Sequence, residues 1–462
     1  MEKRKVSPLI ALIPVIFLVV TLAVAIQQYE AAPHIPLFTS AIFAALIGMF
    51  VLKMKWSEIE EGVVDTIKMS MGAIIILMII GMVIGTWIIS GVVPVMIYYG
   101  LKILTPQIFL VATLLMCSIV SLATGSSWTT AGTVGIALMG IGMSLGIPAP
   151  IIGGAIISGS YFGDKMSPLS DTTNLAPAMA GATLFDHIKH MIYTTGPSYV
   201  ISAILFIIVG LKYSGSTLDM EMINAMNEGL AANFNLSPLL LLVPLIVIGI
   251  VVMKVPAIPG LFAGAVLGGV AAWIFQGAGL GDIINAFHYG YESTTGIEFV
   301  DTLLTRGGLD GMMWTVSLIL CAMMFGGVME KTGMLEALAS VILTFAKTTG
   351  LLVLSTILTC IGMNVIAGDQ YLSIVIPGRM FKNAFEERNL APKNLSRCLE
   401  DSGTLTSPLI PWNTCGAFMI ATLGLAPWTY VPYCFLNLIN PLVSIFYGFT
   451  GITMAKLDST KA

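Results

Sequence analysis

The chain has 462 residues, of which 56% are hydrophobic and only 10% are charged, and its formal net charge is −4. Soluble domains carry about 25% charged residues, so this composition excludes a soluble enzyme and indicates a protein that lies in lipid. The sequence has no long basic run, no phosphate-binding loop and no metal-ligand spacing of its cysteines, which argues against a nucleic-acid partner, ATP-driven transport and a cofactor.

The first half of the sequence divides into apolar runs that are long enough to cross a hydrocarbon layer about 30 Å thick. The alternation typical of barrel strands is absent, so these runs predict helices. The predicted spans and broken stretches, in chain order, cover residues 8–26, 37–52, 71–91, 108–145 (broken), 147–179 (broken) and 191–211.

The second half of the sequence repeats the first in a weak but ordered way. Ser7-Pro8-Leu9 returns as Ser237-Pro238-Leu239, and Ser167-Pro168-Leu169 returns as Ser407-Pro408-Leu409, at a shift of about 230 to 240 residues. Such duplication is typical of secondary transporters. The predicted units are a first transmembrane repeat, a polar linker and a second transmembrane repeat, over residues 1–211, 212–235 and 236–462.

The number of crossings decides how the two predicted repeats are oriented. If the stretch 108–145 is a re-entrant hairpin and residues 92–104 lie in the membrane interface, each repeat crosses the membrane about five times, and the odd number inverts the second copy. Basic residues near the span ends favour this orientation and place both termini in the cytoplasm. Lys102 and Arg306 fall on the outside. The residues that fall inside are Lys3, Arg4, Lys5, Lys53, Lys55, Lys189, Lys254, Lys382, Arg388, Lys393, Arg397 and Lys456. A parallel arrangement with six crossings per repeat stays open.

Polar residues interrupt the middle of both copies at an equivalent point. Ser126 and Ser127 follow Gly125 in the first copy, and Asn364 and Asp369 break the corresponding stretch of the second. Glycine permits an unwound turn, and the freed hydroxyls and carbonyls can coordinate a small cation. The alternative is an ordinary Ser/Thr-rich helix contact. The central position of the break in both copies favours an ion site.

The densest polar cluster inside a predicted span follows Gly163. Asp164, Lys165 and Asp171 would be costly at membrane depth unless they are paired or used, and Pro168 should split the segment into two half-helices. Neutral candidates in this cluster and its copy are Ser167, Thr172, Thr173, Asn174, Asn413 and Thr414. In an alternative interpretation, Asp164 and Lys165 form an exposed loop pair and only Asp171 is buried.

These residue types predict sodium and proton chemistry. Carboxylates at Asp171 and Asp369 in one cavity would bind Na⁺, and protonation of the same oxygens would expel it. We therefore place Na⁺ at Asp171, Thr172 and Asp369. Asp164 would be a second proton carrier or the partner of the neighbouring lysine. Asp401 is a further cation or proton candidate on the repeat argument alone.

The stretch from Gly163 to Thr173, Gly-Asp-Lys-Met-Ser-Pro-Leu-Ser-Asp-Thr-Thr, resembles the signature of the NhaC family of sodium/proton antiporters. The likeness extends over nearly the whole chain in length and repeat layout. It implies inverted repeats, two re-entrant hairpins, a site at the membrane midplane and a homodimer. It also implies functional roles for the matching residues Asp164, Ser167, Asp171, Thr172 and Thr173. The same family contains antiporters that exchange malate plus protons for lactate plus Na⁺.

We therefore expect an all-α polytopic protein of the cell membrane that is not an enzyme and exchanges Na⁺ for H⁺. The alternative is a Na⁺-coupled organic-acid exchanger, in which Arg379, Asn413 and the N-terminal ends of half-helices could hold a carboxylate. A receptor or scaffold without transport would not need aspartates in both copies.

Overall fold

The computed structural model describes four parts of the chain, residues 6–29, 31–213, 220–253 and 255–457. In these parts the regular structure is helical, apart from two isolated bridges that pair Tyr291 with Arg306 and Leu390 with Lys456. Several residues on which the orientation and linker predictions rest lie outside the described parts: Lys3, Arg4, Lys5, Lys254 and residues 214–219.

The described residues up to 213 form ten α-helices, because runs of Leu, Ile, Val, Ala and Met favour a structure that satisfies its own backbone polar groups. They are α1 (Pro8–Tyr29), α2 (His34–Phe50), α3 (Trp56–Ile89), α4 (Val92–Ile103), α5 (Pro106–Thr124), α6 (Ser127–Thr130), α7 (Ile136–Ser144), α8 (Ala149–Met166), α9 (Asp171–Ala180) and α10 (Leu184–Leu211). A π-helical turn, Ala131–Gly135, joins α6 to α7.

The described residues from 220 onward begin with α11, which lies in the predicted linker. The helices of this part are α11 (Met220–Asn233), α12 (Leu242–Val252), α13 (Ala257–Ala271), α14 (Leu280–His288), α15 (Glu298–Leu304), α16 (Gly308–Gly311), α17 (Met313–Lys331), α18 (Met334–Thr344), α19 (Thr349–Ile366), α20 (Gln370–Glu386), α21 (Pro392–Leu399), α22 (Thr414–Leu423) and α23 (Phe435–Thr450). Short π and 3₁₀ turns lie at Pro238–Leu241, Ala272–Gln276, Glu400–Thr404, Ser407–Leu409 and Val431–Tyr433.

Seven helices of the described chain are long and apolar enough to cross a membrane, namely α1, α3, α5, α10, α13 with the turn after it, α17 and α19. A helix pair bent by 97°, Asn227–Asn233 with Pro238–Ile250, is an eighth candidate. The helices α2 and α23 are apolar but contain only 17 and 16 residues. The chain is therefore an all-helical, multi-pass membrane protein, and this measure finds fewer spans than the predicted number of about five per repeat.

The helix α3 is longer than the sequence predicted. A span was expected over residues 71–91, but the helix runs from Trp56 to Ile89, over 34 residues. Its first turns contain acidic residues, so a search for apolar runs does not include them in the span. One of them, Glu61, forms a solvent-exposed ion pair with Lys331 of α17 at 2.9 Å.

The predicted interruptions are present in both halves of the chain. The break after α5 covers Gly125 and Ser126, and that after α8 covers 167–170, where Pro168 cannot donate a backbone hydrogen bond. In the second half, residues 367–369 separate α19 from α20, and residues 410–413 precede α22. Four helices therefore begin in the interior of the bundle, each just after a break.

Left-handed glycines mark corresponding points of the two halves. Gly125 has φ +71° and Gly368 has φ +66°, and both lie in the break that precedes a helix start. Gly181 ends α9 and Gly424 ends α22 in the same conformation, at the same spacing along the chain. A residue with a Cβ rarely adopts these angles, which accounts for glycine at each of these four positions.

Glycine also allows α5 and α8 to pack at close range. A Cβ atom placed on Gly159 of α8 would lie 2.5 Å from the carbonyl oxygen of Leu114 and 2.8 Å from Cβ of Cys117. Both atoms belong to α5 and neither can rotate away. The contact between these two helices positions the break after α8 against the break after α5.

We expect Gly159→Ala to destabilise the protein by about 1–3 kcal/mol, because the added methyl group must push α5 and α8 apart. The matched control is Gly196→Ala in α10, where an added Cβ would meet no atom within 4 Å. Thermal unfolding in detergent measures both variants. Equal unfolding temperatures for the two would contradict the close packing of α5 on α8.

Candidate functional site

The four interior helix starts surround one cavity of about 550 Å³. Its lining includes the first residues of α6, α9, α20 and α22. The side chain preceding each of these helices accepts a hydrogen bond from a backbone N–H of the first turn, and these capping residues are Ser126, Ser170, Asp369 and Asn413. Helix N-terminal ends carry a partial positive charge, so their meeting at one cavity favours acidic side chains there.

Three aspartates line the cavity, two from the first half and one from the second: Asp164, Asp171 and Asp369. Asp164 and Asp369 are only 8% and 4% exposed, whereas Asp171 is solvent-accessible. None of the described residues in the lining is Lys, Arg or His. The cavity is therefore acidic, and carboxylates in it need a cation or protons to balance their charge.

Asp164 ties together the two interruptions of the first half. Its Oδ2 accepts hydrogen bonds from the backbone N–H of Ser127 at 3.2 Å and from the Ser127 hydroxyl at 2.6 Å. Its Oδ1 accepts one from the Ser170 hydroxyl at 2.5 Å. Because Ser127 begins α6 and Ser170 caps α9, one buried carboxyl group holds two half-helices by their N-terminal ends.

Asp369 holds the start of α20 in a similar way. Its Oδ1 accepts hydrogen bonds from the backbone N–H groups of Tyr371 at 2.9 Å and Leu372 at 3.1 Å. Its Oδ2 accepts one from the Ser70 hydroxyl at 3.4 Å. The phenol of Tyr371 lies 3.5 Å from Oδ2 of Asp171, the long limit for a hydrogen bond. Tyr371 therefore connects the two aspartates at which the sequence placed Na⁺.

The structure brings part of the predicted site together. The predicted residues that line the cavity are Asp164, Asp171, Asp369, Ser126, Ser127, Thr172 and Thr414. Those that do not line it are Ser167, Thr173, Asn174, Asn364, Asn413 and Asp401. The alternative with an exposed Asp164 and Lys165 pair is wrong, because both side chains are buried and Asp171 is the accessible one.

The residues around the break after α8 satisfy backbone groups rather than face the cavity. The Thr173 hydroxyl donates to the carbonyl oxygens of Asp164 and Lys165, at 3.0 and 2.9 Å. The Asn174 amide donates to the carbonyl oxygen of Pro168 at 2.9 Å. These bonds occupy carbonyl groups that the end of α8 leaves without helical partners. They hold the break in shape.

Asn364 and Asn413 connect the two interruptions of the second half. Asn413 accepts a hydrogen bond from the backbone N–H of Cys415 at 3.0 Å and donates to Oδ1 of Asn364 at 3.0 Å. The Asn364 amide donates to the carbonyl oxygen of Gly403 at 2.8 Å and to the Thr406 hydroxyl at 2.9 Å. The two asparagines therefore connect the helix breaks of the second half, as Asp164 connects those of the first half, but they carry no charge.

Asp401 lies away from the cavity, in a buried ion pair with Lys165. The distance from Lys165 Nζ to Asp401 Oδ1 is 2.5 Å, and both side chains are 0% exposed. The same oxygen accepts hydrogen bonds from Thr194 at 3.0 Å and Asn440 at 2.7 Å. The partner of the lysine is therefore Asp401 and not the adjacent Asp164, and the pair joins the two halves of the chain.

Some residues of the site were not predicted. Thr129 and Gln370 line the cavity, and the Thr129 hydroxyl and the Gln370 Nε2 have no hydrogen-bond partner among the described residues. Gln370 and Tyr371 directly follow Asp369, so their position at a helix start could have indicated that they belong to the site. Glu400 is fully buried and accepts a hydrogen bond from a cavity threonine. The sequence offered no reason to prefer it to its neighbours.

Within the described residues, no three His, Cys, Asp or Glu side chains lie close enough together to hold a metal ion. A Na⁺ ion in the cavity would therefore combine one or two carboxylates with neutral oxygens. Hydroxyl groups in the lining belong to Thr124, Ser126, Ser127, Thr129, Ser170, Thr172, Tyr371 and Thr414. Carboxylate, hydroxyl and carbonyl oxygens are the donors that hard cations prefer.

The chain is similar to known antiporters over most of its length. The profile of the Na⁺/H⁺ antiporter family matches residues 159–452, which include all three cavity aspartates. The chain is 42% identical to the Na⁺/H⁺ antiporter NhaC of Alkalihalophilus pseudofirmus, over 99% of this chain and 98% of that protein. It is 38% identical to the malate-2H⁺/Na⁺-lactate antiporter of Bacillus subtilis, over 93% and 92% of the two chains. It is also 38% identical to the arginine/ornithine antiporter ArcD of Halobacterium salinarum, over 97% and 93%. By both the family profile and the near full-length relatives, this chain belongs to the Na⁺/H⁺ antiporter family.

Proposed function

We propose that the protein is a secondary antiporter that exchanges Na⁺ for H⁺ across the cell membrane. The observation that carries the proposal is the meeting of Asp164, Asp171 and Asp369 in one cavity whose described lining contains no basic side chain. Three carboxyl groups in a confined space cannot all remain charged without a counter-ion. Na⁺ and protons are the alternating occupants that this arrangement suits.

Na⁺ would bind between Asp171, Thr172 and Asp369, with further hydroxyl oxygens from the helix starts. Protons arriving at the two aspartates neutralise their charge and release the ion, so the two cargoes exclude each other. Asp164 is a second proton carrier. The repeat argument suggested the same role for Asp401. We assign Asp401 instead to neutralise Lys165, because the two side chains form a buried ion pair.

Alternating access would follow from the duplicated architecture. The recurrence of left-handed glycines and interior helix starts supports two repeats, over 1–211 and 236–462, joined by the segment 212–235. We assign the repeats opposite orientations, with both termini in the cytoplasm, and the family resemblance supports a homodimer. The antiport cycle involves no covalent chemistry, so no enzymatic activity and no cofactor are proposed.

Na⁺-coupled exchange of organic acids is a second candidate function, and two observations favour it. The cavity of about 550 Å³ lies within the range of about 300–1,000 Å³ that small-molecule sites occupy, and it exceeds what a single ion needs. The unpartnered Nε2 of Gln370 could donate to a carboxylate. Against it, Arg379 is exposed and does not line the cavity, and neither does Asn413.

Proteoliposomes containing the purified protein test the two functions against each other. A Na⁺ gradient should drive proton movement, reported by an internal pH dye, at the same rate with or without malate and lactate. Liposomes without protein give the leak rate. Proton movement that requires an organic acid would favour the second candidate, and no Na⁺-dependent movement under any condition would contradict both.

A further inference from the structure

We infer that Glu400 and Asp164 share a single proton through the hydroxyl groups of Ser170 and Thr172, which makes Glu400 a proton-carrying residue of the transport cycle. This inference rests on the proposed Na⁺/H⁺ exchange and adds to it a residue that does not line the cavity. Glu400 begins a π-helical turn of the second half, whereas the other three residues belong to the first half.

Two hydroxyl groups lie between the two carboxyl groups, and the four side chains together form a continuous row of oxygen atoms. Oδ1 of Asp164 lies 2.5 Å from Oγ of Ser170. Oγ of Ser170 lies 3.2 Å from Oγ1 of Thr172. Oγ1 of Thr172 lies 3.0 Å from Oε1 of Glu400. Each step is within hydrogen-bond distance, and all four side chains are buried.

Counting hydrogens shows why one shared proton fits this row. If both carboxyl groups are ionised, Ser170 donates to Asp164 and Thr172 donates to Glu400, and the contact between the two hydroxyls has no hydrogen in it. If one carboxyl group is protonated, it donates to its hydroxyl neighbour, and every contact then contains one hydrogen. With both protonated, one hydroxyl hydrogen lacks an acceptor within the row.

The surroundings of Glu400 favour a proton on it when Asp164 is charged. Its side chain is 0% exposed, and its Oε2 has no hydrogen-bond partner among the described residues. The charged groups that act on it from the packed helices are Lys165 and Asp164, and Lys165 is already neutralised by Asp401. Arg397 of α21 donates to the C-terminal segment instead. A buried carboxylate without a counter-ion of its own is costly, so this environment favours the protonated form of Glu400.

Transfer along the row is balanced in atoms and charge. The proton on Oε1 of Glu400 passes to Thr172, the Thr172 hydroxyl hydrogen passes to Ser170, and the Ser170 hydroxyl hydrogen passes to Oδ1 of Asp164. Three O–H bonds break and three form, and the negative charge moves from Asp164 to Glu400. No electrons leave or enter the four groups.

This arrangement lets a proton leave the cavity without entering solution. While Na⁺ is bound in the cavity, its positive charge keeps Asp164 ionised, and the proton stays on Glu400. When the ion leaves, the proton can return to Asp164 and lower the negative charge of the empty cavity. Ser170 and Thr172 relay the proton, and both also line the cavity.

Glu400→Gln tests the role of the carboxyl group. The amide oxygen can still accept from Thr172, but the side chain can no longer take up a proton. We expect Na⁺/H⁺ exchange in proteoliposomes to fall by about tenfold or more, while ²²Na⁺/Na⁺ exchange stays close to the wild-type rate. The matched control is Glu387→Gln, an exposed glutamate at the end of α20. Equal loss of both exchange modes, or loss of neither, would overturn the inference.

Thr172→Val and Thr172→Ser test the row itself. Valine removes the hydroxyl and breaks the row, whereas serine keeps it. Because Thr172 is also a proposed Na⁺ ligand, ²²Na⁺/Na⁺ exchange measures that role separately. We expect Na⁺/H⁺ exchange to fall further than ²²Na⁺/Na⁺ exchange in the valine variant, and both to be restored in the serine variant. If serine fails to restore exchange, or if valine preserves it, the hydroxyl does not conduct the proton.

Infrared spectroscopy of the purified protein separates this inference from the proposed function. A protonated carboxyl group has a carbonyl band, and we expect a band that changes on Na⁺ addition or pH titration in the wild type and is missing in Glu400→Gln. If the wild type does not exchange Na⁺ for H⁺ but shows this difference, only the proposed function fails. If the wild type exchanges and both proteins have identical bands, only the shared proton fails.

Discussion

Asp171→Asn is expected to reduce Na⁺/H⁺ exchange by about 100-fold or more while leaving the fold intact. The side chain of Asp171 is accessible from the cavity, and the Tyr371 phenol approaches its Oδ2 at 3.5 Å. An amide therefore fits in place of the carboxyl group. The change removes a charge that balances Na⁺ and an oxygen that takes up a proton, so both halves of the cycle fail.

Asp369→Asn should have the same effect for the same reason. Asparagine is as good a helix cap as aspartate, so the start of α20 should be preserved while the charge is lost. The matched control is Asp186→Asn, an exposed aspartate in the first turn of α10, outside the cavity. ²²Na⁺ uptake into proteoliposomes measures all three variants. Uptake near the wild-type rate from either cavity variant would remove that aspartate from the site.

Lys165→Met is the second change with a large expected effect, and it acts on stability. It leaves Asp401 charged, fully buried and without its cation, for which we expect a loss of about 3–5 kcal/mol. The hydrogen bonds from Thr194 and Asn440 to the same oxygen would remain. Thermal unfolding in detergent, followed by size-exclusion chromatography, measures the loss.

The double variant Lys165→Met/Asp401→Asn is the control for that prediction. It removes both charges, so most of the lost stability should return. Replacing both members of a buried ion pair costs much less folding free energy than leaving one of them charged and unpaired. If Lys165→Met alone unfolds at the wild-type temperature, the pair does not hold the two halves together. If the double variant is no more stable than the single one, the lysine has another role.

The sequence predicted the helix breaks well because their chemistry is local. Pro168 cannot donate a backbone hydrogen bond, and Gly125 and Gly368 adopt angles that other residues avoid, so the interruptions could be placed without knowing the packing. The extent of α3 was predicted less well, since the charged turns that begin at Trp56 extend beyond its apolar part.

Partners across the two halves could not be predicted from one sequence. Asp401 is 236 residues from Lys165, and nothing local distinguishes it from Asp164 as the partner of that lysine. In the same way, Asn364 and Asn413 have the side chains of ion ligands, but they connect helix ends to each other. Polar residues at a helix break can line the cavity or stabilise the break by hydrogen bonds. Only the three-dimensional packing shows which of these roles a residue has.

The most direct test of the central claim is the affinity for Na⁺ as a function of pH, measured on the purified protein by calorimetry. If Na⁺ and protons occupy the same carboxyl groups, acid must weaken Na⁺ binding. One competing proton should raise the apparent Kd about tenfold for each unit of pH below the range in which the cavity aspartates take up protons, and Na⁺ addition should release protons. A Kd that does not change with pH, or Na⁺ binding without proton release, would contradict the shared site.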